Sequence, residues 1–271
     1  MSYLSPLRLS LSKPPPGTPP FKDLPMDRLI YTAVSGMNAS LNRERVIASN
    51  MSNAQTVGFK AEILQATPTT LEGPQLQVRS LSSTEVSAAS MKAGGLNRTN
   101  YALDVAMQGD AMLAVQATDG QESYTRRGDL SVTVTGVLQN GDGLPVIGGS
   151  GPISVPPGSK VTIGPDGGVL VQDPDTPDAA PQVIDKLKLV STAGTRIVKD
   201  IAGQFRVPNG GILPVDENAQ VIPGALEQSN VNPSEVLVEM IAAQRLFDMR
   251  TKLVQTAGQL DEAGARLMRL D

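Results

Sequence analysis

The chain has 271 residues, enough for two or three small domains, and a net charge of −4, which gives no general attraction to nucleic acid or anionic lipid. It contains no histidine and no cysteine. That removes the commonest catalytic base, the commonest metal ligand, every disulfide and any Ser-His-Asp or Cys-His nucleophile. Tryptophan is absent and there are four tyrosines and four phenylalanines, so the cores must be aliphatic.

Residues 1–25 contain Pro14-Pro15-Pro16 and Pro19-Pro20, lack the apolar centre of a cleavable signal, and read as a disordered or polyproline extension. Met26 is an equally good start. If the protein leaves the cytoplasm, it does so without a conventional signal peptide. No stretch reaches the roughly 18 apolar residues of a bilayer-spanning helix, so no direct membrane insertion is expected.

From Asp27 to about Asn53, Ile30, Val34, Met37, Leu41, Glu44, Ala48 and Met51 recur at steps of four and three, a helical strip flawed only at Glu44. Gly36, Asn38, Asn42 and Asn50 make this helix weak alone, since glycine costs about 1 kcal/mol against alanine. Packing must hold it. Burial contributes about 1.5–3 kcal/mol for each Leu, Ile, Val or Met. The helical unit expected over 26–60 ends in a polar exit where Gly58 suits a left-handed turn.

A connecting segment is expected over 61–95 and a β-rich body over 96–199. Leu113, Val115 and Ala117 alternate, as do Leu130, Val132 and Val134, and Val183, Asp185, Leu187 and Leu189 share a parity. Turn signals at Gly109-Asp110, Asn140-Gly141-Asp142-Gly143, Gly148-Gly149 and Gly164 to Gly168 separate them, which implies an antiparallel sandwich or open barrel. The stretch 172–181 reads as an exposed loop, and 200–229 as a returning connection.

The last segment, 230–271, reads as one long helix. Asn232 suits the N-cap, Pro233 the first helical position, and Glu235 a capping box. Ala242, Leu246, Met249, Leu253, Thr256, Leu260, Ala263, Leu267 and Leu270 form a seam for one neighbouring helix, and the N-terminal helix alone offers a matching strip. The fold class is therefore α+β, with both terminal helices paired in a coiled-coil unit and a mainly antiparallel β domain inserted between them. A second strip, Val236, Met240, Ala243, Phe247, Val254, Ala257 and Met268, cannot be covered by two helices and predicts packing against other subunits. Asp248 with Lys252, and Glu262 with Arg266, are expected surface pairs.

No phosphate loop and no Gly-x-Gly-x-x-Gly fingerprint occurs, so no cofactor is expected. A glycosidase-type carboxylate pair could draw only on Asp104, Asp110, Asp129 and Asp166, nearly all beside glycine in turns, where aspartate serves the backbone. Asp173, Asp175 and Asp178 fail as a calcium loop because prolines intervene and Ile184 holds the twelfth position. Arg126 and Arg127 beside Tyr124 read as a solvated strand end, not a nucleic-acid patch. Glu239, Arg245, Asp248, Lys252 and Glu262 mix charge along the last helix, which favours a protein partner over a membrane. No catalytic or metal residue is expected.

Several motifs carry a resemblance. They are Met26-Asp27-Arg28-Leu29-Ile30-Tyr31-Thr32-Ala33, the run Ala48 to Ala54 with Asn50 and Asn53, Gly58-Phe59-Lys60, and Leu103-Asp104-Val105-Ala106-Met107. Tyr124-Thr125-Arg126-Arg127-Gly128, Pro145-Val146-Ile147-Gly148, Gly151-Pro152 and Gly224 to Asn232, which holds Ser229, Asn230 and Val231, extend it, with Met240-Ile241 and Arg245-Leu246-Phe247. With these the chain resembles the bacterial flagellar rod and hook family, on the side of its proximal-rod members, from Met26 to the end. It departs from the family in the extension before Met26 and in Met112-Leu113, where a more aromatic pair is common.

The resemblance implies a structural subunit of the periplasm-spanning basal-body rod, exported through the flagellar type III apparatus and assembled helically as part of the drive shaft and export channel. Its implied partners are the rod proteins FlgB, FlgC and FlgG and further copies of itself, with the terminal helices lining the tube and the β domain outside. A distal-rod subunit is the alternative within the family, and a secreted carboxylate-dependent glycosidase the alternative outside it. The expected assembly residues are Ile30, Val34, Met37, Leu41, Met51, Leu246, Phe247, Met249, Leu253, Leu260 and Leu267. Free termini would be largely disordered and would order on assembly.

Overall fold

The computed structural model describes residues 25–70, 80–173, 180–200 and 202–268, so the Pro-rich extension and most of the acidic loop lie outside it. The chain begins with α1 (Pro25–Ser52) and a hairpin arm of β1 (Glu62–Thr70) and β2 (Ser80–Ala89). It continues through β3 (Leu96–Arg98), β4 (Val105–Met107), β5 (Ala111–Gln116), β6 (Glu122–Thr125), β7 (Leu130–Val132), β8 (Leu138–Asn140), β9 (Lys160–Ile163) and β10 (Gly168–Gln172). Next come β11 (Gln182–Lys186), β12 (Leu189–Ser191), β13 (Val198–Lys199), β14 (Phe205–Arg206), β15 (Val221–Pro223), β16 (Ala225–Glu227) and finally α2 (Pro233–Met268). The pairings among these strands are antiparallel, and the class is α+β.

The largest sheet runs β12-β5-β6-β14-β13. Strand β5 is buried on both faces. Ala111, Leu113 and Val115 join Val105, Leu138, Val146, Ile153, Val169 and Leu189 in the larger aliphatic cluster. Met112 and Ala114 point the other way, into a cluster with Tyr124, Val190, Phe205 and Leu213. Side chains alternate between faces with period two. Hydrophobicity along β5 does not, because neither face meets water.

The β body reaches beyond residue 199. The stretch 200–229 supplies three strands: β14 pairs with β6, β15 with β4 through Val221 opposite Met107, and β16 with β3 through Ala225 opposite Arg98. The segment 61–95 holds the hairpin arm. Val134, expected to face inward with Leu130 and Val132, is fully exposed at 102%, because the Gly136 amide turns back onto the Thr133 carbonyl.

Helix α2 starts where its cap residues require. The Asn232 Oδ1 accepts the Ser234 N–H at 3.1 Å, and Pro233 follows at the first position. Its 36 residues span about 54 Å. It runs antiparallel against α1, with Ile47 packed on Val236 and Ala243 near one end and Arg250 bonded to the Gly36 carbonyl and the Ser40 hydroxyl near the other. The covered strip of α2 is thus the one through Val236, Met240 and Ala243. The strip through Met249 and Leu253, expected to face α1, is exposed at 56% and 62%. Beyond Ile47 the contacting positions on α1 are small: Ser40 is buried, and Gly36 lies against the Arg250 guanidinium. Small residues let the helix axes approach, and the bulky leucine seam is displaced to the flank.

Candidate functional site

Both helices carry a second apolar stripe about a third of a turn from their mutual contact. On α1 it comprises the exposed Val34 and Leu41 with the half-buried Met37. On α2 it comprises Met249 and Leu253 with the half-buried Leu246, and nearer the start Leu237, Val238 and Ile241 are exposed as well. Of the other expected assembly residues, Met51 packs at the edge of the Ile47 cluster and Phe247 is half-buried. The side chains of Ile30, Leu260 and Leu267 lie outside those described. A helix with an apolar strip on two sides needs two neighbours. Helix α1 touches the β1–β2 arm as well as α2, whereas the Met249 and Leu253 strip of α2 stays exposed among the described residues.

The helices meet the β body at a joint built from the motif residues. Asn50 bonds the backbone of Glu62, with its Nδ2 donating to the carbonyl at 3.1 Å and its Oδ1 accepting the N–H at 2.8 Å. Asn53 donates to the Ser49 carbonyl and accepts the Thr56 hydroxyl, which closes the end of α1. Gly58 sits at φ +68°, its Cα against the Arg126 backbone where no Cβ fits, and its N–H donates to the Glu227 carbonyl at 2.7 Å. Asn230 accepts the Ala61 N–H at 2.8 Å and donates to the carbonyls of Ser90 at 2.8 Å and Lys92 at 2.9 Å. Ser229 accepts the Val231 N–H, and Val231 enters the Ile47 cluster. Phe59 lies under the Lys199 ammonium, 3.5 Å from its ring centroid, and Lys199 also bonds Glu62 at 3.2 Å.

Behind these residues lies a buried ionic node. Glu227 Oε1 accepts Lys60 Nζ at 2.7 Å and the Gly94 N–H at 2.8 Å, while Oε2 accepts Arg126 Nε at 2.7 Å. Arg126 further donates to the carbonyls of Met107, Gly109 and Ala111, and Lys60 to that of Lys92. The three side chains are at most 4% exposed. Arg126 is therefore no solvated strand end. A guanidinium at the end of β6 is drawn inward because one carboxylate and three carbonyls satisfy it there. Burial works against the Glu227 carboxylate, yet the Lys60 ammonium, the Gly94 N–H and Arg126 together hold it below the usual carboxylate range. Burial lowers Lys60 from its ordinary value more than Glu227 restores it.

Three of the four carboxylates weighed for catalysis have structural partners, and the fourth, Asp110, lies exposed in its turn. Asp129 receives the Arg127 guanidinium at 2.8 Å, Asp104 the Thr99 hydroxyl at 2.5 Å, and Asp166 the Gly168 N–H at 3.2 Å. Among the described residues no group of three acidic side chains converges as a metal site, and no helix is long and apolar enough to cross a membrane. Lys60, Arg126 and Glu227 each fall inside a quoted motif, but no local pattern says that they meet.

Three family profiles match the chain. They describe a flagella basal body rod protein over residues 30–60, the flagellar hook protein FlgE/F/G D1 domain over 106–171, and the flagellar basal body rod FlgEFG protein C-terminal region over 222–267. The joint and the body that it carries thus belong to the class of flagellar rod and hook subunits. FlgF of Salmonella typhimurium is 38% identical over 251 residues, covering 90% of this chain and 99% of the relative. FlgF of Escherichia coli K12 is 39% identical over 247 residues, covering 88% and 96%. FlgG of Buchnera aphidicola is 29% identical over 259 residues, covering 85% and 96%. The chain belongs to the FlgF family of flagellar basal-body rod proteins, and it is a structural subunit, not an enzyme.

Proposed function

We propose that this subunit takes its place in the proximal rod by packing the outward stripes of its terminal helices against helices of neighbouring subunits. The observation that carries this reading is the pair of four-three apolar stripes turned away from the α1–α2 contact, through Val34, Met37 and Leu41 on one helix and Leu246, Met249 and Leu253 on the other. Each side chain withdrawn from water in the assembly, being already partly covered, would contribute less than the roughly 1.5–3 kcal/mol of a fully exposed one. The helices act as a coiled-coil unit of residues 26–60 and 230–271, with the β body carried outside. Ile30, Leu260 and Leu267 continue the stripes in sequence register.

The partners are further copies of the chain and the rod proteins FlgB, FlgC and FlgG, and the chain reaches the rod through the flagellar type III export apparatus, across the periplasm. Helical assembly makes it part of the drive shaft and the channel. Ordering of the terminal helices accompanies assembly, its entropy offset by the buried stripes. The test is a tagged chain followed into purified basal bodies. Leu253→Asp should abolish its incorporation while the β body stays folded, and incorporation at the native level would remove the stripe from the mechanism. Amide exchange on the free chain tests the ordering, and full protection of both helix ends in the monomer would contradict it.

A further inference from the structure

The apolar clusters of the molecule do not merge across the joint. The cluster of Ile47, Val231, Val236 and Ala243, edged by Met51, Ala54, Phe59, Ala61 and Met240, shares no residue with either cluster of the β body. What crosses the joint is polar: the Gly58 N–H to the Glu227 carbonyl, the Gln228 N–H to the Gly95 carbonyl, the bonds of Asn230, and Lys199 against Phe59, Glu62 and the Lys60 carbonyl. At its centre one carboxylate holds two cations that arrive from segments far apart in the chain.

A buried ion cluster contributes little net stability, but removal of one member strands the others without water. We propose that the Lys60–Glu227–Arg126 node is a latch that fixes the helical base to the β body, with Glu227 as its positioning residue. Closed, it holds residues 58–61, 90–95 and 227–231 in one arrangement. Open, those three segments release together while the sheet around β5 and β6 stays intact, since that sheet has apolar cores on both faces. The latch would thereby decide whether helices and body move as one piece. The groups that face Glu227 are Lys60 from the exit of α1, the Gly94 amide from the segment after the arm, and Arg126 from the end of β6, with Asp110 adding its field at Lys60.

The experiment is hydrogen–deuterium exchange on the full chain at neutral pH, native against Glu227→Gln, which keeps shape and removes the charge. Exchange across 56–62, 92–96 and 226–232 should quicken about tenfold or more, the effect of losing a hydrogen bond to a charged group, with 111–116 and 122–125 unchanged. Equal acceleration in all these segments would make the node an ordinary core element, and no acceleration would leave it without a holding role. Either result overturns the latch. If Glu227→Gln fails to fold, Lys60→Met decides, because it leaves the Arg126–Glu227 pair balanced: the same local release supports the latch, and native exchange at the joint refutes it.

Discussion

Asn50 and Glu62 are bonded as two strands would be: the Asn50 amide group gives one hydrogen bond to the Glu62 carbonyl and takes one from its N–H, at 3.1 and 2.8 Å. A side chain near the end of α1 thus occupies the place of a neighbouring strand at the first residue of β1. The arm is thereby tied to the helix.

Asn50→Ala removes both bonds at a residue only 9% exposed. We expect a loss of about 1–3 kcal/mol, read as a lower denaturation midpoint, because two backbone groups lose their partners. Asn50→Asp should be equally poor: its carboxylate still accepts the Glu62 N–H but offers no donor and faces the Glu62 carbonyl. Unchanged midpoints in both variants would show that water replaces the side chain at no cost.

Gly58 and Gly95 make a paired test of backbone geometry. Gly58 combines φ +68° with contact against the Arg126 and Arg127 backbone, so Gly58→Ala meets both an unfavourable dihedral and atoms that cannot yield. It should cost at least about 2 kcal/mol. Nothing lies within 4 Å of a Cβ built on Gly95, so Gly95→Ala should be neutral or slightly stabilising through the unfolded chain. Thermal melts of the two variants decide it.

The sequence is most informative where the physics is local. The start of α2 is legible because Asn232-Pro233 marks it within two residues, and the turn around Asp166 is legible for the same reason. Strand β5 is legible on one face only, since Met112 and Ala114 break the expected alternation by facing a second core. The three-residue strands β3, β4, β15 and β16 show no period, and their pairings join Arg98 to Ala225 and Met107 to Val221 across more than half of the β body. Two apolar strips on α2 can be counted from spacing. Which one α1 covers depends on Gly36 and Ser40 across the contact, and spacing within α2 carries no trace of them.

Tyr124 gives a pH signature. Its ring is fully buried and its hydroxyl accepts the Leu213 N–H at 2.7 Å. Burial, with Glu122 nearby, pushes its ionisation up to about 12, whereas a tyrosine in the unfolded chain ionises near pH 10. Between those values the unfolded state releases a proton that the folded state keeps. The contribution is therefore whole below about pH 10 and is lost as pH rises through about 12, roughly 2–3 kcal/mol in all. Tyr124→Phe lacks this titration but leaves the Leu213 N–H unpaired, at a cost of about 1–3 kcal/mol. Denaturation on either side of the window should show the native chain ahead of the variant at mildly alkaline pH and the gap closing above it. A gap independent of pH would mean that Tyr124 ionises at the same pH in the folded and unfolded chain, and that burial does not raise it.

The assignment of the two strips on α2 has opposite consequences for monomer and assembly, which makes it separable. Ala243 is 4% exposed against Ile47, so Ala243→Asp buries a charge without a partner and should destabilise the helical base by at least about 2 kcal/mol, seen as loss of helix protection in the free chain. Met249 is 56% exposed, so Met249→Asp should shift the monomer by no more than about 0.5 kcal/mol. If the stripe is an interface between subunits, Met249→Asp nonetheless fails to enter basal bodies, because the same carboxylate would be buried against a neighbour. Were Met249→Asp to unfold the isolated chain and Ala243→Asp to leave it intact, the leucine seam would face α1 after all, and the outward surface would be the strip through Val236 and Ala243.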